Sequence, residues 1–384
     1  MKKLKVAVIF GGRSAEHEVS LQSAKNIIST LDKEKYQPIL IGIDKQGRWL
    51  KTDSANFLLN ETNPKLISLN ASSKEVALLS GHQNHQLIES GKNLQAQSID
   101  VVFVSLHGPF GEDGTIQGLL KLANLPFVGA SVLGSAIGMD KDVMKRLLKA
   151  ADIPVAKFIV VHRNDVILNE VKDIYSSEPE AHQNDKLFDM VKNQLGLPVF
   201  IKPANLGSSV GVSKASSKKD FNKAIKKAFL YDNKILIEEA IKAREIEVSV
   251  LGNEKPIASV AGEIIPSHEF YSYEAKYIDE LGAKLEIPAK ISSQTLKRVQ
   301  NLAIKTFQAL CCEGMARVDC FLKENGQVLI NEINTIPGFT KISMYPKLWE
   351  ASGISYSELI DRLIQLALER HQRDQKLKTS FEVK

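Results

Sequence analysis

Two neighbouring stretches carry residue types that could move a phosphoryl group: Met315-Ala316-Arg317-Val318-Asp319-Cys320-Phe321 and Val328-Leu329-Ile330-Asn331-Glu332-Ile333-Asn334-Thr335-Ile336-Pro337-Gly338. Side chains alternate faces along a strand, so Arg317 and Asp319 share a face of one strand, and Glu332 and Asn334 share a face of the next. A turn at Glu324-Asn325-Gly326 lets the two strands pair antiparallel and brings all four polar groups onto one surface. Asp319, Glu332 and Asn334 offer hard oxygen donors that suit Mg²⁺ bridging phosphates, with the cation Arg317 beside them. The competing reading is an amphipathic hairpin whose polar face is simply solvated.

Four further stretches carry chemistry. In Lys202-Pro203-Ala204-Asn205-Leu206-Gly207-Ser208-Ser209-Val210-Gly211-Val212 a strand-end lysine precedes a glycine- and serine-rich turn. Backbone N–H groups freed by small residues, with the hydroxyls of Ser208 and Ser209, can cradle phosphate oxygens while Lys202 neutralises their charge. Gly-Lys-[Ser/Thr] is absent, so this is not a Walker A loop, and a tight structural hairpin is the alternative. Ile235-Leu236-Ile237-Glu238-Glu239-Ala240, followed by Arg244-Glu245-Ile246-Glu247, is an apolar strand ending in carboxylates. It could offer acceptors to a purine amine and a ribose diol beside an apolar wall, or be a solvated strand end. Phe270-Tyr271-Ser272-Tyr273-Glu274-Ala275-Lys276-Tyr277 suits a lid that keeps water from a reactive intermediate, or a tyrosine-rich surface turn. In Gly338-Phe339-Thr340-Lys341-Ile342-Ser343-Met344, the Gly338 N–H beside Arg317 would make an oxyanion site and Ser343 could hold a carboxylate. Its alternative is a loop leading into the last helix.

Elements must place these groups. Val6 to Phe10 is an apolar run ending in Gly11-Gly12, then a helical pattern follows on Val19, Ile27, Ile28 and Leu31. Ser14 is expected as its N-cap, with Glu16 in the first turn. Strands are expected at Pro38 to Ile43 and Val101 to Leu106, the latter ending in His107-Gly108-Pro109-Phe110-Gly111-Glu112-Asp113-Gly114. Strands alternating with helices predict a parallel three-layer sheet, with ligands beyond the strand carboxyl ends, where Glu16 and His107 sit. A helix is expected from about Asp140 to Ala150, with strands at Pro198 to Lys202, Ile235 to Glu239 and Glu245 to Leu251. Thr52 to Gln97 and His162 to Asn193 are each expected to contain a surface insertion.

Composition excludes several classes. The chain has 384 residues, 43% of them hydrophobic, which predicts two or three domains. Its 50 basic and 45 acidic residues leave a mild net charge of +5, with no basic tract interleaved with aromatics, so no nucleic-acid partner is expected. No apolar run reaches membrane-spanning length, and the short run after Lys5 reads as a strand, not a signal peptide. Cys311, Cys312 and Cys320 lack metal-ligand spacing and fit thiols of a reducing cytosol.

Six motifs occur in order: Glu16-His17-Glu18-Val19-Ser20, His107 to Gly114, Met139-Asp140-Lys141, the Gly207 turn, Tyr271 to Tyr277, and Arg317 through Gly338. Together they resemble the D-alanine–D-alanine ligases of the ATP-grasp superfamily over nearly the whole chain. The resemblance implies an α/β fold of three domains: a Rossmann-like parallel-sheet domain at 1–129 and ATP-grasp subdomains at 130–242 and 243–384. It also implies that ATP phosphorylates one D-alanine and a second attacks the acylphosphate, giving D-alanyl-D-alanine for peptidoglycan synthesis. On this reading Lys141 and Lys202 hold nucleotide phosphates at the Gly207 and Ser209 turn, with Glu238, Glu239 and Glu245 around adenine and ribose. Asp319, Glu332 and Asn334 bind two Mg²⁺ or Mn²⁺ ions, which offset the repulsion between phosphate and carboxylate. Glu16 pairs with the first substrate's ammonium, His107 lies close to it, and Arg317 and Gly338 stabilise the oxyanion. Ser343, Met344 and Lys276 contact substrate, while Ser208, bonded to Tyr277 and Glu16, latches the lid. Met344 stands where compact members usually carry leucine, a volume-conserving change. The resemblance further implies a cytoplasmic homodimer. A ligase taking D-lactate or D-serine second, or a non-catalytic nucleotide-binding protein of the same fold, are the alternatives.

Overall fold

Val6 to Phe10 lie on an inner strand of the first sheet, paired on both sides, where all five side chains are fully buried because layers cover both faces. The computed structural model describes residues 2–52, 57–60, 63, 66–70, 74–81, 86–89, 96–166, 179–266, 283–378 and 380. The first unit contains β1 (Leu4–Gly11), α1 (His17–Thr30), β2 (Tyr36–Ile43), β3 (Trp49–Thr52), β4 (Leu58–Leu59), β5 (Ser68–Leu69), β6 (Lys74–Leu78), β7 (Leu87–Glu89), β8 (Ala96–Gln97) and β9 (Val101–Ser105). Helices α2 (Thr115–Leu122), α3 (Val132–Met139) and α4 (Lys141–Ala150) follow. Its main sheet runs β8-β7-β6-β3-β2-β1-β9.

That sheet is parallel only over β2-β1-β9. The remaining pairs, from β2-β3 out to β7-β8, are antiparallel. The expected parallel pairing thus covers three strands, and the stretch Thr52 to Gln97, expected to contain a surface insertion, supplies short antiparallel strands beside them. Val76 and Leu87 are buried and join the same core as β1, so the segment lengthens the sheet.

The second unit holds β10 (Phe158–His162), α5 (Pro179–Leu195), β11 (Val199–Pro203), β12 (Ser213–Ala215), α6 (Lys218–Ala228) and β13 (Lys234–Glu239). It is an antiparallel sheet in the order β10-β13-β11-β12. Phe188 and Val191 of α5, three apart and so on one face, pack with Phe221 and Ile225 of α6 against Val199 and Ile237. The described part of the polar stretch before Asn193 is therefore a packed helix rather than a surface excursion.

The third unit holds β14 (Arg244–Gly252), β15 (Ile257–Pro266), β16 (Ala283–Glu286), α7 (Ser293–Ala309), β17 (Gly314–Leu322), β18 (Val328–Asn334), α8 (Met344–Ala351) and α9 (Tyr356–Asp374). Its strands order β16-β15-β14-β17-β18, all antiparallel. Val299, Ala303 and Phe307 of α7 cover one face through Ile246, Val248 and Val318, and Met144 and Leu148 of α4 enter the same core. Helix α9 returns to the first sheet, where Leu359, Leu363 and Ile364 share a core with β1 and β9. Arg370 locks that return by donating to the Phe127 and Gly129 carbonyls. Among the described residues no helix is long and apolar enough to cross a membrane.

Candidate active site

The β17–β18 hairpin has the register its alternation predicts. Arg317 lies opposite Asn334 and Asp319 opposite Glu332. Gly326, at φ +81°, turns the chain with its N–H donating to the Lys323 carbonyl, a conformation that favours glycine. Regular pairing as far as Asp319 puts Glu332 and Asn334 on the face of Arg317 and Asp319, and the bulge beyond it returns Ile330 to the core opposite Cys320. Strand β14 adds Glu247 beside Asp319, and Glu245, Glu247, Asp319, Asn331 and Glu332 line one small cavity.

These acids already face cations. Arg317 donates through two nitrogens to both oxygens of Asp319, each at 2.7 Å, and its Nε lies 3.0 Å from Glu247. Lys141 Nζ is 3.5 Å from Glu332 and donates to the Leu206 carbonyl at 2.7 Å. Lys141 thus bridges the hairpin and the glycine-rich turn. It is positioned by the start of α4, where Asp140 caps the helix by accepting from the N–H groups of Asp142 and Val143. The hard oxygen donors fit Mg²⁺ chemistry, although among the described residues no three Asp, Glu, His or Cys side chains already cluster as a ligand set.

The turn after β11 holds Ser208 and Ser209 at φ +53° and +59°, a left-handed conformation that costs a non-glycine residue on the order of 1 kcal/mol each. Such strain persists where surrounding contacts impose it. Ser208 Oγ donates a hydrogen bond to Glu16 Oε1. Glu16 is buried immediately before α1, and its other oxygen lies against Gly108, where a Cβ would sit only 2.6 Å away. Gly108, at φ +72°, is therefore required for both its backbone and its closeness to Glu16. Ser14 does not cap α1, which begins at His17. Instead its hydroxyl accepts the Glu16 N–H and its carbonyl the His17 N–H, forming the turn that presents Glu16.

His107 is buried at the end of β9 and donates from Nδ1 to the Ile336 carbonyl at 3.0 Å. Its Nε2 meets Ser23 Oγ at 3.1 Å, and that hydroxyl also accepts the Phe339 N–H. His107 and Ser23 thereby hold the loop that carries Gly338. Glu112 approaches His107 Nδ1 to 3.6 Å. Burial, with repulsion from Glu16, pushes the Glu112 carboxyl up to about 7 despite the opposing pull of His107. Burial opposes protonation of His107, but Glu112 and Glu16 outweigh it and raise its pKa.

Ser343 Oγ accepts the Thr340 N–H at 2.9 Å and lies so near Gly338 that a Cβ there would be 2.8 Å from it. Met344 begins α8 buried against Gly262 of β15. Glu238 sits between Lys202, at 2.6 Å, and Lys145, at 3.0 Å, so its carboxylate is engaged by two ammonium groups. Glu239 accepts the Lys157 N–H, and Glu245 lies on the hairpin side of β14. Tyr277 and Lys276, with the expected lid, lie outside the described residues.

Three residues of this neighbourhood are not individually singled out by the sequence: Glu112, Lys145 and Glu247. Each had a signal. Glu112 lies within the His107 to Gly114 run, Glu247 alternates with Glu245, and Lys145 is four residues from Lys141, on the same helix face.

Residues 5–130 match the family profile described as D-ala D-ala ligase N-terminus, and residues 147–365 match that of D-ala D-ala ligase C-terminus. The chain belongs to the D-alanine–D-alanine ligase family. It is 56% identical over 380 residues to the D-alanine–D-alanine ligase of Oceanobacillus iheyensis, covering 99% of both chains. The solved D-alanine–D-alanine ligase of Coxiella burnetii superposes with a TM-score of 0.79 at 39% identity, covering 98% of this chain and 97% of that one. The VanG D-Ala:D-Ser ligase of Enterococcus faecalis gives 0.80 at 34% identity, covering 95% and 100%. These ligase-family neighbours confirm the expected α/β ATP-grasp fold.

Proposed function

We propose that the chain joins two D-alanine molecules at the expense of ATP, releasing ADP and phosphate. One observation supports this reading above the others. A continuous path of contacts runs from Glu16 through Ser208 and the Leu206 carbonyl to Lys141 and on to Glu332. An ammonium-binding carboxylate, a phosphate turn and an acidic hairpin therefore meet at one place, as phosphorylation of an amino acid's carboxylate requires.

In this reading Glu16 receives the ammonium of the first D-alanine, and Ser208 holds Glu16 ready. Lys141, Lys202 and the Gly207 to Ser209 turn receive the ATP phosphates, with Glu238, Glu239 and Glu245 on the nucleoside side. The substrate carboxylate displaces ADP at the γ-phosphorus. The amine of the second D-alanine, seated by Ser343 and Met344 and having lost a proton, then attacks the acyl carbon. Arg317 and the Gly338 N–H receive the charge that develops on the carbonyl oxygen before phosphate leaves. Asp319, Glu332 and Asn334 would hold Mg²⁺, which when bound supplies charge neutralisation between phosphate and carboxylate. The enzyme is read as a cytoplasmic homodimer contributing to cell-wall precursor synthesis.

Phosphate release from ATP should depend on D-alanine, and the product should be D-alanyl-D-alanine. With D-alanine, D-serine and D-lactate supplied together, the dipeptide of D-alanine should dominate. Predominant mixed product would reassign the second substrate, and ATP turnover independent of D-alanine would sink the ligase reading. Sedimentation as a single-chain species would remove the dimer.

A further inference from the structure

Lys145 leaves α4 on the same face as Lys141, one turn further on, and its side chain is 0% exposed. Its Nζ lies 3.0 Å from Glu238 Oε1, while Glu238 Oε2 lies 2.6 Å from Lys202 Nζ. Among the described residues no acceptor completes a well-formed hydrogen bond to Lys145 Nζ, so this ion pair is its main compensation. An ammonium in so dry a place is costly unless its charge is matched. Burial pushes the Lys145 pKa down against the pull of Glu238. Burial likewise pushes Glu238 up, but Lys145 and Lys202 outweigh it and hold the carboxyl down to about 2.

One carboxylate is thus shared by two ammonium groups. A lone Glu238–Lys202 pair would be neutral, whereas the three together carry a net positive charge toward the glycine-rich turn that follows Lys202. The central carboxylate also has one oxygen anchored by Lys145 and the other left for Lys202, which fixes its orientation.

We propose that Lys145 is a positioning residue for nucleotide binding: its buried ammonium anchors Glu238, and Glu238 in turn aims Lys202 at the phosphate turn. This rests on the reading of Lys202 and the Gly207 turn as the nucleotide phosphate site.

Titration calorimetry with Mg²⁺ and a non-hydrolysable ATP analogue, paired with steady-state kinetics, tests it on Lys145→Met, Lys202→Met, Glu238→Gln and Lys145→Met/Glu238→Gln. Lys145→Met should weaken the analogue about tenfold or more and raise the KM for ATP, while the KM for D-alanine and kcat stay within about twofold. In the Glu238→Gln background the same change should alter binding by less than about twofold, because the intermediary is already gone. The double variant removes the fully buried ammonium together with its carboxylate and leaves only Lys202, whose side chain still reaches solvent, so it keeps the test available if Lys145→Met does not fold. A double variant binding much more weakly than Glu238→Gln would show that Lys145 does not act through Glu238. Unchanged binding by folded Lys145→Met, with Lys202→Met impaired, would overturn the inference and leave the nucleotide site standing. Normal binding by Lys202→Met would overturn both.

Discussion

Arg317 grips Asp319 with two nitrogens, each 2.7 Å from a carboxylate oxygen, although the two residues are only two positions apart on one strand. Their shared face makes this possible, and it ties the group read as the oxyanion donor to one read as a metal ligand. Glu332, directly across the hairpin, is the matching acid.

Replacing Glu332 with Gln should preserve the fold, since the side chain is only partly buried and its volume is kept. Turnover should fall on the order of a hundredfold or more, the usual scale for losing one such electrostatic element. Near-normal ligation by a folded Glu332→Gln enzyme would remove the metal assignment.

Ser208→Ala removes the donor to Glu16 Oε1. A hydrogen bond to a charged group is worth roughly 1.5–3 kcal/mol, so affinity for the first D-alanine should drop by about tenfold or more. The acceptor-site KM should change far less. Kinetics resolving the two D-alanine sites would test this, and an unaltered first-site constant would separate Ser208 from substrate binding.

Glu112 supplies a pH signature. Its folded pKa of about 7 lies above the ordinary value of 4.5, so the folded protein holds a proton that the unfolded chain has released between those values. The stabilising contribution is complete below about pH 4.5 and is lost as pH rises through about 7. Glu112→Gln lacks this dependence, so its stability relative to the parent should increase from pH 4.5 to 7. Denaturant melts across that range would show the trend, and a flat difference would contradict it.

Gly262 makes room for Met344. A Cβ at Gly262 would meet Met344 Cε at 2.3 Å and Leu348 Cδ2 at 2.9 Å, so Gly262→Ala must displace the methionine. Overpacking of this kind costs about 1–3 kcal/mol. The KM for the acceptor D-alanine should rise about fivefold, close to 1 kcal/mol, and Met344→Leu in the same chain should recover most of it. Absence of rescue would mean that the loss does not pass through Met344.

Features that depend on local periodicity and turn chemistry are legible in the chain before it folds. Alternation placed Arg317 with Asp319 and Glu332 with Asn334, Asn325-Gly326 marked the turn between them, and Asp140 marked the start of α4. The continuous apolar run of β1 announced a strand covered on both faces. Ser14 organises the turn before α1 instead of capping it, because a serine before a helical pattern can do either. The edge strands between Thr52 and Gln97 were missed because two- to five-residue strands carry little periodic signal. Which charges meet is set by packing. Glu16 and Ser208 are 192 residues apart, Lys145 of α4 reaches Glu238 of β13, and His107 holds a carbonyl 229 positions away. Such pairings depend on how packed layers bring distant chain segments together, and no local pattern encodes that distance.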